Sequence, residues 1–288
     1  LDDVLYYPIL MVILIAAGLI FSWKTRCVQL RLFPESIRVV MEKPTEAGNV
    51  SSFQALMVST ASRVGTGNII GVSTAICLGG PGAVFWMWLL AIIGGATAFI
   101  ESTLAQIYKR RNPLGHSYGG PAYYIETAMH KRWLGVLFAF SLIVTYAGGF
   151  NLLCSFNMQS TFLVYSFYDP TTTPWIIGAI FAALVAYCLI GGGQRMIFAD
   201  AFDFQSILGG VSGSCMVYGI KRGLYSNEAG IGSAPNAAAA ADVSHPVKQG
   251  LVQMLSVFID TLLVCSATAF MGLFSGVPIT KEVAGAAY

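Results

Sequence analysis

The sequence predicts an all-α protein that crosses a membrane several times and interrupts two of its helices at mid-span. Three observations carry this. Of its 288 residues, 56% are hydrophobic and only 10% are charged, where a soluble domain carries about a quarter; mean hydropathy is +0.68. The apolar residues fall in long blocks rather than short alternating runs. Two of those blocks are broken by glycine and polar residues, at ASRVGTGNIIG (61–71) and GLYSNEAGIGSAPN (223–236).

About 20 apolar residues cross a bilayer as a helix. On that measure the spans fall at 5–23, 52–80, 83–108, 134–166 and 175–193, with a shorter, polar-rich candidate at 206–241 and a further span at 250–274. The first span lacks a basic flank and a small-residue cleavage site, so no cleavable signal peptide is expected, and the chain reads as a piece of a longer or edited protein. Basic residues orient the spans. Lys24, Arg26, Arg31, Arg38 and Lys43 fill one connection, and Lys109, Arg110, Arg111, Lys131 and Arg132 fill another. Two spans separate these connections, so both lie on the cytoplasmic side. The intervening GGPGAV (79–84) and YDPTTTP (168–174) contain neither Lys nor Arg. Trp23, Trp86, Trp88, Trp133 and Trp175 fall at span ends, as an interfacial belt requires. The count then fails after Arg195. Lys248 returns to the cytoplasm only if one more crossing lies near 196–204, where Asp200 and Asp203 stand; otherwise 206–241 is not a full span.

Gly65, Gly67 and Gly71 are spaced G-x-G-x-x-x-G, one residue off a dinucleotide fingerprint, and their flanks are apolar spans rather than a strand and a soluble helix. Close helix packing at Gly67 and Gly71 is an alternative, but it leaves Arg63, Thr66 and Asn68 unexplained. A helix unwound at membrane depth accounts for all of them. It frees N–H groups for a carboxylate and carbonyls for a cation, and glycine lets a ligand approach the backbone. The second cluster, with Gly223, Gly230, Gly232, Ser226, Asn227, Glu228 and Ser233 before Pro235 and a run of alanines, is its counterpart. Paired breaks in the two halves of a chain point to an inverted-repeat transporter with a site at the midplane.

Other classes find no support. There is no basic stripe or nucleic-acid motif. The six cysteines form no CxxC pair and are expected to be buried apolar residues; the three histidines lack metal spacing. No nucleophile–base set stands out, so the protein is not expected to be an enzyme. Arg63, Glu101, Glu228 and Asp260 fall inside spans, where charges face the bundle interior and pair. Arg63 with Glu228 is the expected pair, gating or bracing the site, with Glu101 as the alternative partner. Asp260 is either a bracing residue or a proton or cation group.

The stretches RVGTGNIIGVSTAICLGGPGAVFWMW, SYGGPAYYI, GLYSNEAGIGSAPNAAAAA and HPVKQGLVQMLSVFIDTLLVCSATAF resemble the alanine or glycine:cation symporters. That resemblance implies a leucine-transporter-like fold of two inverted five-helix repeats behind one extra amino-terminal helix. It makes 1–288 a single transmembrane domain: 1–50 the extra helix and its cytoplasmic loop, 51–195 a first repeat lacking its last helix, and 205–288 a partial second repeat. A helix of the family is missing where Arg195 runs into MIFADAFDFQS; SGSCMVYGIKRG is about one turn short, and the last three helices are absent.

The resemblance also implies import of small neutral amino acids such as alanine or glycine through the cell membrane, driven by co-transported Na⁺ or H⁺, with no other cofactor and a monomeric protein in the bilayer. Backbone and polar groups at Gly65, Thr66, Gly67 and Asn68 would hold the substrate carboxylate. The carbonyls of Ala61 and Val64 would hold Na⁺. Asn157 and Gln159, in a stretch one residue shorter than the family pattern, would meet the substrate or else brace neighbouring helices. Gly230, Ile231 and Gly232 would line the side-chain end of the pocket, with ordinary packing the alternative for Ile231. The competing expectation is a non-transporting fragment or an accessory membrane subunit.

Overall fold

The computed structural model describes residues 9–42, 50–65, 67–113, 117–160, 162, 165–190, 228–277 and 279. Its helices begin where the sequence supplies a stop to what precedes them. Helix α1 (Met11–Lys24) ends in a left-handed turn at Arg26 and Cys27. Short helices α2 (Val28–Arg31) and α3 (Phe33–Val40) follow. Helix α4 (Ser52–Arg63) starts with a capping box: Gln54 N–H donates to Ser51 Oγ (3.1 Å), and Ser51 N–H donates to Gln54 Oε1 (2.8 Å). Prolines stand just before or within the first two residues of α6 (Gly82–Ile107), α7 (Pro121–Met129), α11 (Ala234–Ala240) and α12 (Pro246–Phe258), where a missing N–H costs nothing.

The predicted 52–80 is interrupted within 61–71, as expected. It divides into α4 and α5 (Val72–Gly79), the latter entered through a π-turn at Gly67–Gly71. Likewise 134–166 is α8 (Arg132–Val144), a π-turn at Thr145–Phe150 and α9 (Asn151–Ser160), shorter than expected. Helix α10 (Thr173–Ile190) and the composite α12, π-turn Ile259–Cys265 and α13 (Ser266–Phe274) match the spans predicted there. Of 206–241, the described part begins at Glu228, and the crossing expected near 196–204 lies outside the described residues.

Helix α6 is the axis of the bundle, with α12 packed along it and α1 and α11 against its other faces. The α6–α12 approach is close because Gly250 has no side chain: a Cβ there would stand 2.7 Å from the Phe99 carbonyl oxygen. Val252, Met254 and Val257 of α12 fill the seam with Ala91, Ala98 and Phe99 of α6. Helix α8 is the opposite case. Phe140 and Ile143 are exposed, and its most apolar stretch is unburied, as suits a helix facing lipid. Three described helices are long and apolar enough to cross a membrane: Gly82–Ile107, Arg132–Asn157 and Pro246–Phe274.

The basic connections gather at one end. A two-stranded hairpin pairs Arg110–Arg111 with Ser117–Tyr118. Arg111 pairs with Asp242 (3.7 Å), Lys109 Nζ donates to the Ala241 carbonyl (3.1 Å), and Asp242 N–H donates to the Val50 carbonyl (2.9 Å). Lys248 pairs with Glu42. The segment around Lys248 therefore joins the 24–50 and 109–133 connections on one side, where the charge rule requires it. Cys27 is exposed, against the expectation that every cysteine is buried; Cys77 and Cys265 are buried. It sits in the turn between α1 and α2, outside any packed helix face.

Candidate functional site

The first break follows from the end of α4. Val64 leaves the helix (φ −74°, ψ 91°) after its N–H closes the last turn on the Thr60 carbonyl (2.8 Å). Ala61 and Val64 thus stand at a helix carboxyl end, where carbonyls run out of helical partners. Thr66 lies outside the described residues. The chain re-enters helix with Asn68 N–H donating to the Gly65 carbonyl (2.8 Å). The Asn68 side chain is buried and its Nδ2 donates to Asp260 Oδ1, in the π-turn after α12. Gly65 and Gly67 are part-buried beside it, and a Cβ on Gly65 would meet nothing within 4 Å.

The second break is a left-handed turn. Glu228, Gly230 and Gly232 have φ of +49°, +88° and +91°, values that favour glycine and strain Glu228. Ser233 Oγ donates to Glu228 Oε2, and Ser62 and Tyr146 face the same carboxylate. The Gly230 N–H is aimed at Glu101. Ile231 is half-buried and Gly232 buried, packed on Pro121 and Phe138.

These pieces meet at Arg63. Its side chain is 3% exposed, and Glu228, Glu101 and Asp260 all act on it electrostatically. Among the described residues it makes no ion pair within 4 Å, with the expected partner Glu228 or with any other acid. Its Nη1 donates instead to the Gln253 carbonyl (3.2 Å), and Nε and Nη2 are buried without a partner. Glu228 is held off by its own turn and by Ser233. Four of the charges singled out in the sequence therefore form one buried cluster joining the two breaks, α6 and α12.

Asn157 and Gln159 stand elsewhere. They lie on α9, which packs chiefly on the preceding π-turn and α10. Asn157 is buried, and Gln159 Nε2 donates to the Tyr168 hydroxyl in the connection before α10. Sequence reasoning passed over a line of buried polar residues on α12: Gln249, Gln253 and Ser256, leading to Asp260. Ser256 meets Thr60 (Oγ–Oγ1 3.0 Å), and Gln249 Nε2 donates to Ser52 Oγ (3.2 Å). The signal was present as polar residues at i, i+4, i+7 and i+11 on an apolar span, the spacing of one helix face.

A cavity of about 370 Å³ opens beside the cluster, lined by Val58, Ser62, Leu142, Tyr146, Ser233 and Asn236 among others. Its walls precede the first break and follow the second, so it lies on the side of the basic connections. The volume falls within the range of small-molecule sites. Among the described residues no three His, Cys, Asp or Glu side chains are placed to hold a metal together, which leaves helix-end carbonyls, the Asn68 amide and single carboxylates as oxygen donors for a cation.

Comparison with known proteins places the chain in a family. The profile of the sodium:alanine symporter family matches residues 1–197 and 195–288. The probable sodium/glutamine symporter GlnT of Bacillus subtilis (strain 168) is 39% identical over 325 residues, covering 99% of this chain and 67% of that protein. The putative sodium/proton-dependent alanine carrier protein YrbD of the same organism is 43% identical over 326 residues, covering 99% and 65%. The sodium/alanine symporter AgcS of Methanococcus maripaludis is 34% identical over 312 residues, covering 93% and 68%. The chain thus spans about two thirds of the length of these relatives. The two matched pieces of the profile meet at 195–197, the point at which the charge count misses a crossing.

Proposed function

The chain belongs to the sodium:alanine symporter family, and from that premise we propose that it imports small neutral amino acids, alanine or glycine, together with Na⁺ by alternating access. One observation carries the reading: both helix breaks face a single buried cluster of Arg63, Glu101, Glu228 and Asp260. Broken helices at membrane depth are tolerated where they line a site.

In this reading the N–H groups and polar side chains at Gly65, Thr66, Gly67 and Asn68 take the substrate carboxylate. Carbonyls of Ala61 and Val64 take Na⁺, with Asp260 holding Asn68 in place. Gly230, Ile231 and Gly232 bound the side-chain end, where a branched aliphatic leaves room for little more than a methyl group. The cavity beside Tyr146 and Asn236 is the cytoplasmic route of release. The architecture is the leucine-transporter-like inverted repeat, and the working unit is a monomer in the plasma membrane. The printed names of relatives, a sodium/glutamine symporter, a sodium/proton-dependent alanine carrier and a sodium/alanine symporter, support a small amino acid and a cation.

The division of the family match at 195–197 favours a second reading, a non-transporting fragment or accessory subunit. Uptake of radiolabelled alanine by the purified chain in liposomes separates the two. Symport gives saturable uptake that requires an inward Na⁺ gradient and is lost in Gly67→Val. Uptake equal with and without the gradient rejects Na⁺ coupling, and no saturable uptake at all favours the fragment.

A further inference from the structure

The symporter reading leaves unexplained a row of polar atoms that are buried and unsatisfied. On α12, Gln253 is fully buried with neither its Nε2 nor its Oε1 hydrogen-bonded, and Gln249 has an unpartnered Oε1. One turn separates the two, on the same helix face. Gln249 meets Ser52, the first residue of α4, close to the cytoplasmic ends of both helices. At the inner end of the row, Arg63 binds the Gln253 carbonyl and leaves Nε and Nη2 free. On α6, Glu101 is 7% exposed and its Oε1 has no donor.

An amide with both ends unsatisfied in an apolar interior costs several kcal/mol, on the order of 2–7 by transfer scales, unless water bridges it; water settles where two to four polar partners surround it. Gln249 Oε1, Gln253 Oε1 and Nε2 and the free edge of Arg63 are such partners, in a line from the cytoplasmic end to mid-membrane. The line ends at the free edge of Arg63, and the carboxylate that Arg63 faces on α6, Glu101, is equally anomalous. Glu228 has Ser233 as a donor, whereas one oxygen of Glu101 has none.

We propose that Glu101 is a proton-binding site, filled from the cytoplasmic face along a hydrated relay through Ser52, Gln249 and Gln253. The proton leaves a hydronium on the relay, the Oε1–H bond forms and the carboxylate becomes a neutral acid, and the hydronium is left as water. The groups that face Glu101 set when this happens. They are Arg63 of α4, Glu228 of the second break and Tyr124 of α7. Asp260 acts on the same Arg63 from the α12 side. The free Oε1 is also the acceptor that the Arg63 fork would clasp on losing its proton, so loading and unloading Glu101 reset the brace between the breaks. That last step rests on the symporter reading; the proton site does not.

Infrared difference spectra of the purified full chain in lipid nanodiscs, recorded across a pH titration, test the site directly. The carbonyl band of a protonated buried carboxyl is expected in the wild type, lost in Glu101→Gln, kept in Glu228→Gln, and shifted but present in Glu101→Asp. Transfer to D₂O should move the band quickly in the wild type and about tenfold more slowly in Gln253→Leu. A band that survives in a monodisperse Glu101→Gln overturns the proton site. Exchange at the wild-type rate in Gln253→Leu overturns the relay. Absence of Na⁺-driven alanine uptake with the band intact rejects the symporter reading alone.

Discussion

Arg63 brings a guanidinium into the protein interior with one hydrogen bond from Nη1 and two nitrogens unsatisfied. Such a residue is retained for its field, which offsets three surrounding carboxylates. Removing one partner of a buried charge cluster costs about 3–5 kcal/mol, because the others remain uncompensated. Arg63→Met should therefore lower the unfolding temperature strongly in detergent, and Glu101→Gln added to it should restore part of the loss. Equal unfolding of wild type and Arg63→Met would show that the cluster is already neutral without it. Asp169, in the connection before α10, shows the reverse situation at the surface. Hydroxyls of Thr172 and Thr171 donate to its carboxylate and hold it below the usual carboxylate range. A lowered folded value stabilises above the unfolded value, and the gain disappears as pH falls through the folded one. Acidification should accordingly lower the protection of the Thr171 amide, whose N–H bonds Asp169 at 3.2 Å, relative to the intrinsic base-catalysed exchange rate at each pH, and Asp169→Asn should show constant protection across that range.

The two breaks are different kinds of element, and glycine serves each differently. At Gly232 the backbone has φ +91°, and a Cβ would stand 2.7 Å from Phe138 and 2.8 Å from Pro121. Gly232→Ala should cost about 1–3 kcal/mol of stability, read from thermal unfolding. At Gly65 a Cβ meets nothing, so Gly65→Ala should unfold within about 0.5 kcal/mol of wild type yet lose alanine uptake, if the proposed substrate site uses that space. Full uptake by Gly65→Ala would move the substrate off the first break. Both breaks were legible in the sequence, since Gly, Asn and Ser gathered in an apolar span have few other uses. The π-turns at 145–150 and 259–265 were not, because apolar periodicity cannot tell a helix carrying one residue too many from an uninterrupted one. Nor could sequence separate the roles open to Gln159: an amide in a span serves a ligand or a neighbouring helix equally well, and its bond to Tyr168 depends on how the chain turns after α9.

Across the whole molecule, the charge rule anticipated more than the hydropathy did. Lys248 meets Glu42, and Arg111 meets Asp242, so three basic connections share one face although the described spans alone do not bring them there. Between α10 and α11 the charge count asks for one more crossing, near 196–204 in the sequence. Hydropathy offers no span there, and 206–241 is the next candidate after it. The topology is checked by Lys248→Cys in a Cys27→Ser background: a membrane-impermeant thiol reagent should label it from the cytoplasmic side of oriented vesicles and not from outside. Labelling from outside would invert the second half of the fold.

The π-turn at Ile259–Cys265 has a genetic consequence. A π-turn is an α-helix that has absorbed a single inserted residue, so the reverse change is available: loss of one codon among 262–264 would let the helix close into regular α geometry. Residues beyond would then keep roughly the faces they present now, because the turn that is lost is the one the extra residue had widened. Ser266 would still accept the Trp88 indole N–H, now at 2.7 Å, and Asp260, on the near side, would keep its place beside Asn68. A one-residue deletion there should leave α13 packed and the charged cluster intact, which makes this turn a point where the length of the chain can drift without erasing the site.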